Sequence, residues 1–320
     1  MVSIVIPNWN GARYIEVCLG SLERQTYKDF ELIFVDNNSE DSSIEIVKRQ
    51  FPRAHVVTLE ENKGFATAAN EGIKVGRGDY IALLNNDTES DPHWLEELLK
   101  GMDRSKAIGM CASKIIQFDD RSKLDTAGDG YTTFGVSIKR GHGLKPDEYS
   151  KEEFVFGACA AAALYRKSML DEIGYFDEGL FCIYEDVDLS FRAQLAGFQC
   201  LYVPTATVYH LLGGTAGRNN DFTLYYGQRN LETVFLKNMP RKLLIKYLPL
   251  HLGYNVLGFI QHIFKKNAKK FLQSKIDAMK QIRSTLQKRR AVQGKKRVSS
   301  FYLRSLFDNR SLLQHKAKAS

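Results

Sequence analysis

Tyr80-Ile81-Ala82-Leu83-Leu84-Asn85-Asn86-Asp87-Thr88 is a short apolar run that ends abruptly in two amides and a carboxylate. With Asp91-Pro92 starting a helix behind it, the run reads as a buried parallel strand that delivers Asn85 and Asp87 to its carboxyl end. Ligands of open α/β sheets bind at that edge. A carboxylate there, flanked by amides and with no basic residue in the run, suits a hard divalent cation held against a diphosphate. The same residues also close a strand into a turn, so the rest of the chain has to decide.

Working outward, the run has companions. Residues 3–7 read as a strand leading into the turn Asn8-Trp9-Asn10-Gly11, and a helical pattern follows with Ile15, Cys18, Leu19 and Leu22 on one face. Residues 30–35 form a second strand ending in Asp36-Asn37-Asn38-Ser39. A helix begins near Ser42, a third strand covers 55–59, and a helix over 64–75 carries Ala66, Ala68 and Ala69 for close packing on a sheet. Strands alternating with helices predict an α/β fold with a parallel, doubly wound sheet. Right-handed crossovers then bring Pro7-Asn8, Asp36 and Asp87 to one edge.

Beyond a helix over 91–102 with Trp94, Leu95, Leu98 and Leu99 inward, the pattern loosens. A strand is expected over 108–118, and 119–150 reads as an irregular functional excursion. A small-residue strand or strand pair covers 154–165, and short helices cover 167–173 and 187–196, the second stopping at Gly197. Two strands, 199–204 and 207–210, precede Gly213-Gly214-Thr215, and everything from Asp221 reads as helix.

The 320 residues are 44% hydrophobic, which suits a globular core and excludes a disordered chain. Five cysteines without a C-x-x-C pair, and a strand rather than a leader at the start, point to a reducing cytoplasm with the thiols in the core. The net charge of +8 is split. Residues 237–320 hold 21 Lys and Arg against two acids, or +19, which leaves −11 on the remainder. An acidic body and a basic tail are two electrostatic objects.

Three further groups carry chemistry. Asp36, at the end of the second strand, can accept hydrogen bonds from a ribose or base, or simply close its turn. Glu185-Asp186 opens a helix, where acids are favoured by the helix dipole, or where one of them serves as general base. His210 ends a strand, either hydrogen-bonded in place or ligating a metal, with the glycines after it letting backbone approach phosphate. Neither G-x-G-x-x-G nor G-x-x-x-x-G-K-[ST] occurs, so phosphates must be handled without a dinucleotide fingerprint or a P-loop.

Taken in order, Val2-Ser3-Ile4-Val5-Ile6-Pro7-Asn8-Trp9-Asn10-Gly11, Val35-Asp36-Asn37-Asn38-Ser39, Asn62-Lys63-Gly64-Phe65 with Asn70, Leu84-Asn85-Asn86-Asp87-Thr88, Glu185-Asp186-Val187-Asp188-Leu189 and Tyr209-His210 resemble the motifs of family-2 inverting glycosyltransferases of GT-A fold. Asp125-Thr126-Ala127-Gly128 and Tyr226-Gly227-Gln228-Arg229-Asn230 resemble the bacterial rhamnosyltransferase branch. The resemblance implies a catalytic domain over 1–236, with a nucleotide-sugar part (1–118) and an acceptor-side part (119–236), followed by a C-terminal helical appendage. It implies that Pro7, Asn8 and Asp36 hold the donor's base and ribose, with Lys63 and Asn70 nearby, and that Asn38, Asn85 and Asn86 also bind the substrate. Asp87 would bind Mg²⁺ or Mn²⁺ and His210 would complete that site. Asp186 would be the general base, with Glu185 holding the acceptor or supporting that base. The family pattern often has an acid where this chain has Asn85, which should weaken metal affinity.

The tail, 237–320, lacks about 20 uninterrupted apolar residues. Its apolar stretch is flanked by Arg241-Lys242 and by Lys265-Lys266 and Lys269-Lys270, which reads as an amphipathic helix on an anionic membrane surface or packed on the body or on a second subunit. Few interleaved aromatics and no recognisable module argue against nucleic acid. The expectation is a cytoplasmic, membrane-peripheral enzyme extending a lipid-linked or cell-surface saccharide. The donor implied by the resemblance is dTDP-rhamnose, and the competing expectations are a UDP-hexose-dependent glycosyltransferase of the same family and a non-catalytic nucleotide-sugar-binding membrane scaffold subunit.

Overall fold

The computed structural model describes residues 1–211 and 221–308, so Gly213, Gly214 and Thr215 lie outside the described residues. The first half alternates as the patterns predict: β1 (Val2–Asn8), α1 (Ala12–Glu23), β2 (Phe30–Asp36), α2 (Ser43–Gln50), β3 (His55–Thr58), α3 (Gly64–Val75) and β4 (Tyr80–Leu84). β1 pairs in parallel with both β2 and β4, and β2 with β3. Because side chains alternate across a strand, Ile4, Ile6, Ala82 and Leu84 enter one core with Ile15, Leu19, Trp94 and Leu98. Val5, Ile81 and Leu83 enter the other with Ala66, Ala69 and Ile73. α3 lies close to the sheet because Gly72 has no Cβ; one built there would stand 2.3 Å from Val5 Cγ1.

The second half contains β5 (Thr88–Ser90), α4 (Trp94–Met102), β6 (Ile108–Gln117), β7 (Leu124–Thr126), β8 (Asp129–Thr132), β9 (Ser137–Lys139), β10 (Glu153–Val155), β11 (Ala162–Arg166), α5 (Lys167–Ile173), α6 (Glu185–Ala196) and β12 (Gln199–His210). The main sheet runs β10-β12-β6-β11-β4-β1-β2-β3. β11 is antiparallel to both β4 and β6, while β12 and β6 are parallel, so the sheet is mixed, with its parallel block at β4-β1-β2-β3.

Three expectations are corrected. Residues 119–150 are not an irregular excursion: β8 and β9 pair there, and β7 extends the main sheet beside β6. Tyr131 on β8 is fully buried and packs on Phe156, Phe191 and Phe307, which holds strands too short to declare themselves by alternation. The two strands expected over 199–210 are one strand, which absorbs Pro204 in a register shift between Val203 and Thr207. Finally, the region after Asp221 is not all helix. α7 (Asp221–Asn238), α8 (Arg241–Phe264), α9 (Ala268–Lys280), α10 (Ile282–Gly294) and α11 (Ser300–Leu306) lead to β13 (Phe307–Asp308), which pairs with β8.

Among the described residues α8 is the one helix that by length and composition is apolar enough to cross a membrane, so the interruptions noted in its sequence do not exclude a span by those two measures. Its Ile245, Leu252, Val256 and Ile263 are exposed. α8 and α9 are tied to α7 through Glu232, whose carboxylate meets His251 Nε2 (2.8 Å) and Lys275 Nζ (2.6 Å), while His251 Nδ1 reaches the Phe134 carbonyl (2.8 Å). Burial opposes the Glu232 charge, but His251 and Lys275 outweigh it and bring its pKa down to about 2. Its contribution is therefore complete above the ordinary carboxylate value and is lost as pH falls toward 2. Glu232→Gln is expected to cost about 2 kcal/mol at pH 7 and little at pH 2, read by thermal melting in circular dichroism.

Candidate active site

One cavity of ≈ 710 Å³ opens at the carboxyl ends of β1 and β4, a size suited to a nucleotide-linked ligand. Pro7 and Asn8 enter it from β1 with Trp9, and Asn85, Asn86 and Asp87 from the turn after β4. The parallel register that sets Asn8 beside Asp36 fixes this edge. Asn8 Nδ2 donates to Asp36 Oδ1 (3.2 Å) and Ser43 Oγ (2.9 Å), and Asn8 Oδ1 accepts from Asn86 Nδ2 (2.6 Å).

Not every expected residue lines the cavity. Asp36 lies behind Asn8, its other oxygen accepting the Ser39 N–H at 3.0 Å. Asn38 is exposed in that turn at φ 63°, and the Lys63 side chain is also exposed. Asn70 spends its amide on another segment: Nδ2 donates to the Phe176 carbonyl (3.0 Å) and Glu178 Oε1 (2.9 Å), and Oδ1 accepts the Phe176 N–H (2.9 Å). Asn37 and Asn62, which sequence reasoning did not single out, line the cavity instead and bond each other at 2.9 Å.

Asp87 and His210 are brought together from the turn after β4 and the end of β12, which β5 pairs into place. His210 Nε2 stands 3.3 Å from Asp87 Oδ1, and that buried oxygen receives no hydrogen bond from the described residues. Behind the imidazole, Nδ1–H donates to Asp125 Oδ2 at 3.0 Å. Burial opposes a charge on His210, but Asp125 and Asp87 outweigh it and raise its pKa to about 9. Asp125 is fully buried and also accepts from Lys139 Nζ at 2.6 Å; burial would raise its pKa, but His142, His210 and Lys139 together hold it far below the usual range. A carboxylate orienting an imidazole through its second nitrogen, opposite the Asp87 carboxylate, is a donor set that fits a divalent cation taking the place of the Nε2 proton.

Glu185 and Asp186 begin α6 after an unusual approach. Phe181, Ile183 and Tyr184 all have positive φ (67°, 65° and 76°), a conformation L residues rarely adopt and β-branched ones least. The Asn230 amide bonds the carbonyls of Leu180, Cys182 and Ile183, and Gly64, at φ +83°, makes room for Phe181. Asp186 then accepts the Val187 N–H (2.8 Å) and the Ala160 N–H (3.2 Å). Burial raises its pKa, while those two donors and Lys139 restrain the rise. Glu185 is pushed well up by burial and by Asp186, and its Oε2 has no partner among the described residues.

Asp129 and Lys139, cross-strand partners on β8 and β9, also line the cavity, as do Cys159 and Cys182, so two of the five thiols are not core residues. One ligand atom each of Asp129, Cys159 and Asp186 lies within 4.8 Å of the others, close enough for a metal ion, although the Lys139 ammonium already stands beside them. Asp125 and Asn230 belong to stretches whose resemblance was visible; their tasks were not, because each acts on a residue about 50 or more positions away.

A family model described as "Glycosyl transferase family 2" matches residues 3–174. The EpsH protein of Bacillus subtilis is 27% identical over 216 residues, a match covering 65% of this chain; the chain spans 60% of EpsH. An N-acetylglucosaminyl-diphospho-decaprenol L-rhamnosyltransferase of Mycobacterium tuberculosis is 25% identical over 246 residues, covering 68% of this chain and 78% of that protein. Among solved structures, mannosyltransferase PcManGT from Pyrobaculum calidifontis, in complex with GDP-Man and Mn²⁺, has a TM-score of 0.56 at 15% identity, over 92% of this chain and 85% of that one.

Proposed function

We propose that this chain, which belongs to glycosyl transferase family 2 and has the GT-A fold with a C-terminal helical region, transfers L-rhamnose from dTDP-rhamnose to a hydroxyl of a lipid-linked or cell-surface saccharide, with inversion. The observation that carries this reading is one cavity that gathers Asn8 and Asn86, Asp87 with His210, and Asp186. The rhamnosyl donor is supported by the two motifs resembling that branch and by the mycobacterial relative.

In this mechanism Asn8 and Asn86 line the donor's nucleotide end, with Asp36, Asn38 and Lys63 bordering it and Asn70 fixing the segment behind. Asp186 takes the proton of the acceptor hydroxyl as its oxygen bonds the anomeric carbon, while the bond from that carbon to the diphosphate breaks on the opposite face. Asp87 and His210 would hold Mg²⁺ or Mn²⁺, which when bound stabilises the charge developing on the departing diphosphate. Asp125 orients His210 for that task. Asp125→Asn is expected to weaken Mn²⁺ binding by about 10–100-fold, measured by calorimetry on the protein alone.

The tail's basic residues and the exposed apolar side chains of α8, with Ile276 and Met279 of α9, suit the anionic cytoplasmic face of a membrane, where a lipid-linked acceptor is presented. The test is a donor panel with lipid extract, scoring release of nucleoside diphosphate from dTDP-rhamnose, UDP-glucose, UDP-galactose, UDP-N-acetylglucosamine and GDP-mannose, with and without chelator. Turnover of dTDP-rhamnose alone is expected. Turnover confined to a UDP-sugar removes the rhamnosyl donor, and none at all favours a binding subunit.

A further inference from the structure

Asp129 reaches the cavity on a strand that sequence patterning did not reveal. Its backbone exchanges two hydrogen bonds with Gly157 (2.8 and 3.2 Å), which ties β8 to the segment carrying Cys159 and Ala160. Ala160 in turn donates its N–H to Asp186. The two carboxyl groups, brought within 4.8 Å by this link, are supplied differently. Asp186 has two N–H donors, whereas no donor among the described residues bonds the carboxyl of Asp129, which is 4% exposed.

Two carboxylates this close in a buried site disfavour each other's charge, and the one with donors keeps it more readily. The surroundings of Asp129 do not reverse that choice. Lys139 faces it from β9, but its ammonium is engaged by Asp125. Asp125 and Glu185 add negative charge or none. Cys159, Tyr165 and Cys200 are kept neutral by burial. Burial first, then the Asp186 charge, pushes the Asp129 carboxyl well above the usual range.

We propose that Asp129 is a further functional carboxyl group of this site, held as a neutral acid beside the ionised Asp186 and donating its O–H to a hydroxyl of the reacting sugars. This rests on the assignment of Asp186 as the base. The pair then divides its labour: Asp186 receives the proton that leaves the acceptor hydroxyl, and Asp129 aligns a sugar without changing its own protonation. As pH rises through the raised Asp129 value, a second negative charge enters the cavity and repels the donor diphosphate, so kcat/KM falls on the alkaline side.

The test is the pH profile of kcat/KM for Asp129→Asn, Asp129→Leu and Asp186→Asn, using the donor that turns over in the panel above, with thermal melting to confirm folding. The Leu variant is expected to lose on the order of 10–100-fold, because a buried donor is removed. The Asn variant keeps a neutral donor and is expected to lose less than the Leu variant, with its alkaline limb displaced to higher pH. Equal losses in the Asn and Leu variants, a Leu variant as active as the parent, or an Asn variant whose alkaline limb does not move would each overturn the proposal. The Asp186→Asn arm separates the two assignments. Activity retained there removes the base, whereas an inactive Asp186→Asn beside indifferent Asp129 variants removes only the pairing. Should the Leu variant fail to fold, the position of the alkaline limb in the Asn variant decides alone.

Discussion

Asp186→Asn is expected to lower kcat by about 10³-fold while donor affinity stays within a few fold, the signature of a lost general base. The amide has the shape of the carboxylate but cannot take a proton from the acceptor hydroxyl. It accepts one of the two N–H groups that Asp186 holds, from Ala160 or Val187, and leaves the other short of a partner, at a cost of about 1–2 kcal/mol in stability. That modest loss is readable by melting and is separable from catalysis. Calorimetry with the donor measures binding, and release of nucleoside diphosphate measures turnover. A kcat reduced by less than tenfold would remove Asp186 from proton transfer and turn attention to Glu185, whose buried Oε2 has no partner among the described residues.

Much of the fold was legible because it is local. The helix over 64–75 and the short one over 167–173 have the bounds the patterns predict, and Ile15, Cys18, Leu19 and Leu22 are buried on one face of α1. The meeting of Asn8 and Asp36 at one edge followed from the handedness of the crossovers alone. What escaped reading is non-local. β8 is completed by β13, more than half the chain away, and no alternation in four residues signals that. Asn70 sits in a motif of polar residues near the donor edge, yet its amide is consumed by a segment over a hundred residues on. A side chain's type announces what it is able to bond; its partner is chosen by the fold.

The same principle sets the second large effect, at Asn230. Asn230→Ala is expected to reduce kcat by on the order of 10²-fold and stability by about 2–4 kcal/mol. Residues held at positive φ cost about 1–3 kcal/mol each and persist only where their surroundings over-determine them. Phe181, Ile183 and Tyr184 are three such residues immediately before Glu185-Asp186. The Asn230 Nδ2 lies 2.8, 2.8 and 2.7 Å from the carbonyls of Leu180, Cys182 and Ile183, and its Oδ1 accepts from Arg229 Nε at 2.9 Å. Arg229 itself bonds the Gly179 and Leu180 carbonyls, both at 2.9 Å. α7 is braced in turn by α10, whose Arg289 donates to the carbonyls of Leu236 and Met239. Without the Asn230 amide three carbonyls, that of Leu180 buried and the others half-buried, lose a shared donor, the approach to α6 relaxes toward ordinary φ, and Asp186 shifts from the acceptor hydroxyl. Asn230→Asp sharpens the test, since it keeps the shape but sets carboxylate oxygens against carbonyl oxygens, and its loss is expected to exceed that of Ala. Hydrogen exchange of residues 181–187 then rises in both variants. Unchanged exchange with a full loss of kcat would mean that Asn230 acts on substrate directly rather than through the turn.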